Sequence, residues 1–374
     1  MKVLEGLARA GDVELFSFVN PGRTEPLELP AGAPVRRVEV VEAARARLTP
    51  FRRARWLLGG RLPLELATRD YRSVRSAFRR WAADRYDLVW FVRAEAFAAL
   101  GGAVEAPQVV DLDDLEDHKT LARLQASGPG GARGAGARMQ GSVNARRWSG
   151  LQRRIAAVAE RVVVCSGLDR RRLGAPNAVV IPNGYDPPAH PAGRDAIGDP
   201  PTILLQGFLL YPANVDAARF LVERVLPLVR QRVPDVGVRL VGKSDGRVER
   251  LADPPRVVVT GFVPEIAEEL ARADAVAVPI RYGSGTRIKI LEAFAHRIPV
   301  VSTALGVEGV DAVPGAHLLV ADDPAEFAEA CVTLLTDVDR RHQLVDAAHR
   351  LFLGGYRWDT IQDRIAALAR DVAG

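Results

Sequence analysis

PIRYGSGTRIKILEAFAHRIPVVS, residues 279–302, reads as a strand, a glycine loop and a helix. An apolar run from Asp274 to Ile280 breaks at Tyr282-Gly283-Ser284-Gly285, after which Ile288, Leu291, Ala295 and Ile298 recur at helical spacing. The pattern predicts a helix over 286–297 with Arg287 and Lys289 in its first turn. The helix dipole and the unbonded N–H groups are already positive there, so each cation costs about 0.3–1 kcal/mol. A bound anion reverses that sign. Gly283 and Gly285 let backbone amides approach a ligand closely, and a strand-to-helix turn is where open α/β sheets hold phosphate. The competing reading is a plain βα turn with two solvated cations. Glu292 weighs against it, because Lys289 before Glu292 is the less favourable order for a helical ion pair. A carboxylate there suits a sugar ring, from which it can accept two hydroxyl hydrogen bonds.

Outward from this stretch, residues 202–302 alternate strand and helix. TILLQG, a helix over 215–232, VGVRLVG, a short helix at 248–251, VVVTG, a helix at 266–271, AVAVPI, the helix at 286–297 and VVS follow in order. Such alternation implies a parallel sheet with ligands at its carboxyl edge. The N-terminal half predicts a helix at 2–10, strands at 13–19 and 35–40, helices at 43–58 and 64–84 with Val74, Phe78 and Trp81 as core, and a strand at 86–92. A strand at 108–112 runs into Asp111, Asp113, Asp114, Glu116 and Asp117; a helix at 144–160 and strands at 161–166 and 178–182 follow. Residues 127–141 are low in complexity and predict a mobile loop near the cleft. Residues 186–201 are proline-rich and read as a linker. The expected organisation is a first domain over 1–185, a second over 186–355 and a C-terminal helix at 356–374.

The chain has 374 residues, enough for two cores, with 48% hydrophobic and 26% charged residues. Two cysteines, Cys165 and Cys331, do not make a disulfide framework or a cysteine zinc site, so no metal is expected and a reducing cytoplasm is the simplest compartment. No run of 18 apolar residues or signal-peptide progression is present. Of the formal charge of +5, residues 36–85 alone hold fourteen arginines against five acids, a local +9. That basic stretch suits an anionic membrane face or a lipid phosphate acceptor, and equally a solvated arginine-rich surface; with no nucleic-acid reading module, nucleic acid is set aside.

The residues at 279–302 resemble the donor-binding signature of glycosyltransferase family 4, retaining enzymes of the two-domain GT-B fold that use nucleotide-activated sugars. The likeness extends to VVIPNGYD (179–186), GFLLYPANVDAARFLVERVLPLV (207–229), LVGK (240–243), TGFVPEI (260–266) and, more loosely, VVDLDDLEDHK (109–119). It implies two Rossmann-like domains with parallel sheets facing across a cleft, the acceptor side over 1–185 and the nucleotide-sugar-binding domain over 186–355, with the helix at 356–374 packing back on the first, and a nucleoside-diphosphate sugar as donor substrate with no separate cofactor. Glu292 then holds the donor ribose, while Gly283, Ser284, Gly285, Thr286, Arg287 and Lys289 hold the diphosphate. Gly207, Asn214 and Lys243 line the same pocket, and Phe262 and Val263 wall the base. Asp113 and Asp114 are the candidate catalytic carboxylates, with Arg287 and Lys289 as stabilisers of the leaving group.

Departures from the family pattern shape three further expectations. The family's arginine and lysine shortly after Gly207 are absent, so Arg287 and Lys289 are expected to supply that charge, with Tyr211 beside Asn214. Ser284 stands where a second glutamate is frequent, and Asp113 where a histidine is frequent; His118 reads as a surface residue. The chain opens on a helix, so the first strand of the N-terminal domain reads as missing, which keeps open the alternative of a non-catalytic nucleotide-sugar-binding subunit. The acceptor is a lipid-linked saccharide, a polysaccharide or a small natural product.

Overall fold

The computed structural model describes residues 1–19, 29–45, 49–82, 86–126, 135–193, 196–283, 285 and 287–374. The chain divides into two compact units, one made of Met1–Pro182 with Asp359–Gly374 and the other of Asn183–Trp358, beside the expected limits at 185/186 and 355/356. Among the described residues no helix is long and apolar enough to cross a membrane.

Unit 1 contains β1 (Glu14–Val19), β2 (Arg37–Glu42), β3 (Ala44–Arg45), β4 (Arg69–Asp70), β5 (Val89–Val92), β6 (Gln108–Asp111), β7 (Arg161–Val164) and β8 (Ala178–Val180). Its strands form a parallel pair β1-β2, a small antiparallel pair β3-β4, and a parallel sheet β5-β6-β7-β8. Val74, Phe78 and Trp81 are buried on the helix Arg72–Trp81, where Phe16 meets Phe78 and Trp81 edge to face.

The expected helix at 64–84 is in fact two, Leu64–Ala67 and Arg72–Trp81. Arg69 and Asp70 leave the helix to pair with Ala44 and Arg45, and the Asp70 carboxylate accepts the Arg72 N–H at 3.0 Å, restarting the helix. The helix expected at 43–58 starts only at Pro50, a residue suited to a first helical turn. Residues 135–141, expected in a loop, open the long helix Ala135–Val158; the remainder of that expected loop, 127–134, lies outside the described residues.

Unit 2 contains β9 (Thr202–Gln206), β10 (Gly237–Val241), β11 (Val257–Gly261), β12 (Ala275–Val278), β13 (Val300–Ser302) and β14 (Leu319–Val320). They form one parallel sheet in the order β11-β10-β9-β12-β13-β14. The chain winds outward in one direction from β9 and in the other from β12, which makes the carboxyl ends of β9 and β12 the switch point where such sheets hold ligands. Ile203, Leu204, Leu205 and Val276, Ala277, Val278 are fully buried, as strands covered on both faces require.

The helix expected at 215–232 is interrupted: Pro212–Arg219 is α-helical, Phe220–Val225 widens to a π-turn, and Leu226–Val229 resumes. Pro227 has no N–H for the preceding turn, and the wide turn absorbs that lost bond.

Asp274, fully buried ahead of β12, accepts the N–H groups of Gly198 at 2.9 Å and Thr202 at 2.8 Å and faces buried Arg341 at 3.9 Å. It fixes the start of β9 to the start of β12. Because removing one partner strands a buried charge, Asp274→Ala should cost about 3–5 kcal/mol of unit 2 stability in denaturant titration; a loss under about 1 kcal/mol would contradict this role.

Candidate functional site

β9 ends in buried Gln206 and then Gly207, whose φ of 145° is open only to glycine. A Cβ at Gly207 would stand 3.1 Å from Lys289 Nζ and 3.2 Å from Asn214 Nδ2. Asn214, on the helix Pro212–Arg219, bridges the two sides of the crevice. Its amide N–H donates to Phe208 O at 2.9 Å and its oxygen accepts from Lys289 Nζ at 3.1 Å. The structure therefore brings Gly207, Asn214 and Lys289 together at the switch point.

The second loop arrives from β12. Gly283 is buried with φ 107°, and a Cβ there would stand 3.7 Å from both Arg287 Nη2 and the Tyr211 hydroxyl, so Arg287, Gly283 and Tyr211 belong to the same cluster. Gly285 also has a positive φ, 99°. Ser284 and Thr286 lie outside the described residues. The helix is Ile288–Ala295, not 286–297: Arg287, at φ −89° and ψ 80°, caps it from outside and Lys289 sits one residue inside. The non-helical backbone at 287 explains the later start. The Arg287 side chain makes no capping hydrogen bond here, and the first amides of a helix are groups that an anion can satisfy.

Burial and then the Arg287 guanidinium push the Lys289 ammonium down to about 7, against the pull of Glu292. Glu292 moves the other way. Burial raises its carboxyl although Gln206 Nε2 donates to it at 3.3 Å and the Tyr185 hydroxyl also hydrogen-bonds it. Burial, followed by the Glu292 charge, raises the Tyr185 hydroxyl in turn. Gln206 also reaches Lys289 O at 3.4 Å, joining the strand end to the helix start. Gln206 and Tyr185 have no distinctive spacing of their own; Gln206 adjoins Gly207, and Tyr185 lies within VVIPNGYD, and those adjacencies are the signal that points to them.

Other expected residues stand apart from this cluster's contacts. Lys243 is exposed after β10, Phe262 is 74% exposed after β11, and Val263 packs on the core of unit 2. What ties β10 to the site is its backbone: a Cβ at Gly242 would lie 1.9 Å from Gly207 O.

In unit 1, Asp113 and Asp114 follow β6. Asp113 holds φ 58°, rare for a non-glycine, with its N–H donated to Asp111 Oδ1 at 3.0 Å. Burial lifts the Asp111 carboxyl to about 6. Asp114 pairs with Lys119 at 3.1 Å, and the Cys165 thiol, unforeseen from sequence, donates to Asp113 O. Asp113, Asp114 and Cys165 offer ligand atoms within 4.8 Å of one another, but these contacts already engage them. His118 is half-buried.

With this geometry in view, the chain can be set beside known proteins. Residues 200–337 match the family model described as Glycosyl transferases group 1. A GDP-mannose-dependent alpha-(1-6)-phosphatidylinositol monomannoside mannosyltransferase of Mycolicibacterium smegmatis is 29% identical over 248 residues, 58% of this chain and 63% of that protein. An uncharacterized 44.6 kDa protein in the cps region of Klebsiella pneumoniae is 26% identical over 136 residues, 34% of this chain and 35% of that protein. The chain thus spans from about a third to under two thirds of the length of these curated relatives. Among solved structures, the sucrose-phosphate synthase of Thermosynechococcus elongatus superposes with a TM-score of 0.69 at 18% identity, covering 99% of this chain and 92% of that one. Anabaena Alr3699/HepE in complex with UDP gives 0.64 at 16% identity, covering 96% and 100%. The fold is GT-B, an α/β architecture of two units with parallel sheets.

Two outcomes check this site, using inorganic pyrophosphate as an anionic probe. Arg287→Ala should weaken pyrophosphate binding at least about tenfold in calorimetry, the loss of one charge-assisted contact; unchanged affinity removes Arg287 from the site. Lys289 is charged below about 7 and neutral above it, and a bound anion favours the charged form. Pyrophosphate affinity should therefore fall as pH rises above 7, and Lys289→Met should flatten the profile.

Proposed function

We propose that this protein is a retaining glycosyltransferase that moves a sugar from a nucleoside-diphosphate sugar to an acceptor hydroxyl. The observation that carries the reading is Lys289 Nζ held against Gly207 and Asn214 at the switch point, with Arg287 beside Gly283. Two cations that repel one another at a helix start are both stabilised by an anion placed between them. The match over 200–337 supports the transferase class, and the UDP in the Anabaena structural neighbour supports a nucleotide-sugar donor.

In this reading Glu292, anchored by Gln206 and Tyr185, accepts donor hydroxyl groups, the ribose foremost. Lys243, Phe262 and Val263 line the base end, and Ser284, Gly285 and Thr286 complete the diphosphate loop. As the bond between the anomeric carbon and the diphosphate oxygen breaks, Arg287, Lys289 and the helix amides gather the charge on the leaving group. The acceptor oxygen forms its bond to the anomeric carbon on the same face, and its proton passes to the departing diphosphate. No protein nucleophile and no metal enter this sequence. Asp113 and Asp114 orient the acceptor hydroxyl within unit 1.

The basic stretch 36–85 is the proposed contact with an anionic membrane face, at the cytoplasmic side, where a lipid-linked acceptor would lie. The helix Pro50–Gly59 presents Phe51 and Leu58, 78% and 90% exposed, beside exposed Arg53 and Arg55.

Incubation with a panel of nucleotide sugars and saccharide acceptors, read by NMR, tests the reading. A product carrying the donor's own anomeric configuration, formed equally in chelator, is expected; an inverted anomer overturns retention, and donor binding without transfer to any acceptor points to a binding subunit.

A further inference from the structure

Unit 2 begins at Asn183 and ends at Trp358, and its two ends are tied together at one residue. The Tyr185 N–H donates to Tyr356 O at 2.9 Å, the Trp358 N–H donates to Tyr185 O at 3.4 Å, and Tyr185 pairs with Arg357 in an isolated parallel bridge. The Tyr185 ring packs on the core of unit 2 with the His296 ring 6.1 Å away, and His296 caps the helix that carries Glu292. Backbone and ring are both held, and a tyrosine has only two side-chain torsions to fix. Its hydroxyl therefore stands at a set position, where it hydrogen-bonds Glu292.

Three groups draw on the Glu292 carboxylate. Gln206 Nε2 donates to Oε2 at 3.3 Å, the Tyr185 phenol donates to it, and the Lys289 ammonium attracts it from one helical turn before. Only Lys289 among them is charged, yet its Nζ donates to Asn214 Oδ1 at 3.1 Å and, among the described residues, makes no ion pair with Glu292. Gln206 is a weak tether. Its amide is shared with Lys289 O at 3.4 Å, and its Oε1 has no partner among the described residues. An ionised carboxylate has about four acceptor positions, so Gln206 and Tyr185 leave about two, the number that a pair of adjacent hydroxyls needs.

We infer that Tyr185 is a positioning residue of the candidate site: it holds the Glu292 carboxylate off Lys289 and so keeps its free acceptor positions for two adjacent hydroxyls of a ligand. The inference rests on the donor reading above and adds to it a residue and a selectivity. A ribonucleotide is preferred over its 2′-deoxy and 3′-deoxy forms because the phenol is in place. Without it, the carboxylate keeps only the long Gln206 contact and turns to the ammonium, the stronger partner. The same carboxylate is then spent on a charge and not on a diol.

Calorimetry of the wild-type chain and of Tyr185→Phe with UDP, GDP, their 2′-deoxy and 3′-deoxy analogues and pyrophosphate tests this. In the wild-type chain each deoxy analogue should bind at least about tenfold more weakly than its ribonucleotide, the loss of a hydrogen bond to a charged group. In Tyr185→Phe, which keeps the ring and its packing, that preference should fall below about threefold while pyrophosphate still binds. No preference in the wild-type chain, or one that Tyr185→Phe retains in full, overturns the inference and leaves the diphosphate seat standing. Loss of pyrophosphate binding in Tyr185→Phe makes Tyr185 a structural residue and overturns it as well. If neither UDP nor GDP binds the wild-type chain more tightly than pyrophosphate, the donor reading falls and the inference with it.

Discussion

The arrangement of unit 2 depends on one constraint, a lysine ammonium kept close to a glycine at the centre of a parallel sheet. Lys289 is drawn inward by Asn214 and held there although burial and Arg287 both oppose its charge. Everything around it serves that placement. Gly207 leaves the space, Gln206 joins the strand end to the helix start, and Asp274 fixes the strands on which both loops ride. The cluster thus sets two cations, Arg287 and Lys289, beside one carboxylate, Glu292.

The division of labour inside the cluster is set by burial. Lysine and glutamate three residues apart on one helix have the spacing of an ordinary surface pair, but here each is displaced from its usual titration in the direction that neutralises it. Glu292 is held by an amide and a phenol, neither of which carries charge, while it and the Lys289 ammonium attract one another. Arg287, standing outside the helix, approaches from the glycine-loop side while Lys289 approaches from the strand side. Two positive groups on different pieces of backbone can close on one anion from two directions.

Much of this was legible in the sequence because period and glycine position report it directly. The alternation over 202–302 specified a parallel sheet, and Gly207, Gly283, Arg287, Lys289 and Glu292 fell where strand ends and helix starts converge. What stayed hidden was set by tertiary contacts. Periodicity carried the helix through Arg69 and Asp70, since nothing local shows that these residues pair with Ala44 and Arg45. It carried another helix past Pro227 because a π-turn conserves the apolar face while changing the bonds. Gln206 and Tyr185 were passed over because a glutamine ending an apolar strand and a tyrosine after a turn have no distinctive spacing. Cys165 was seen only as a count, and its neighbours Asp113 and Asp114 come from a strand more than fifty residues earlier.

The near-collision of two turns has a further meaning. The carbonyl of Gly207 occupies the space in which residue 242 would need a side chain, so neither turn can be remodelled alone. Their flanks, Phe208 and Lys243, are both exposed and answer to no such restriction. Substitution can therefore reshape the rim at 208 and 243 while the two interlocked turns beneath stay as they are.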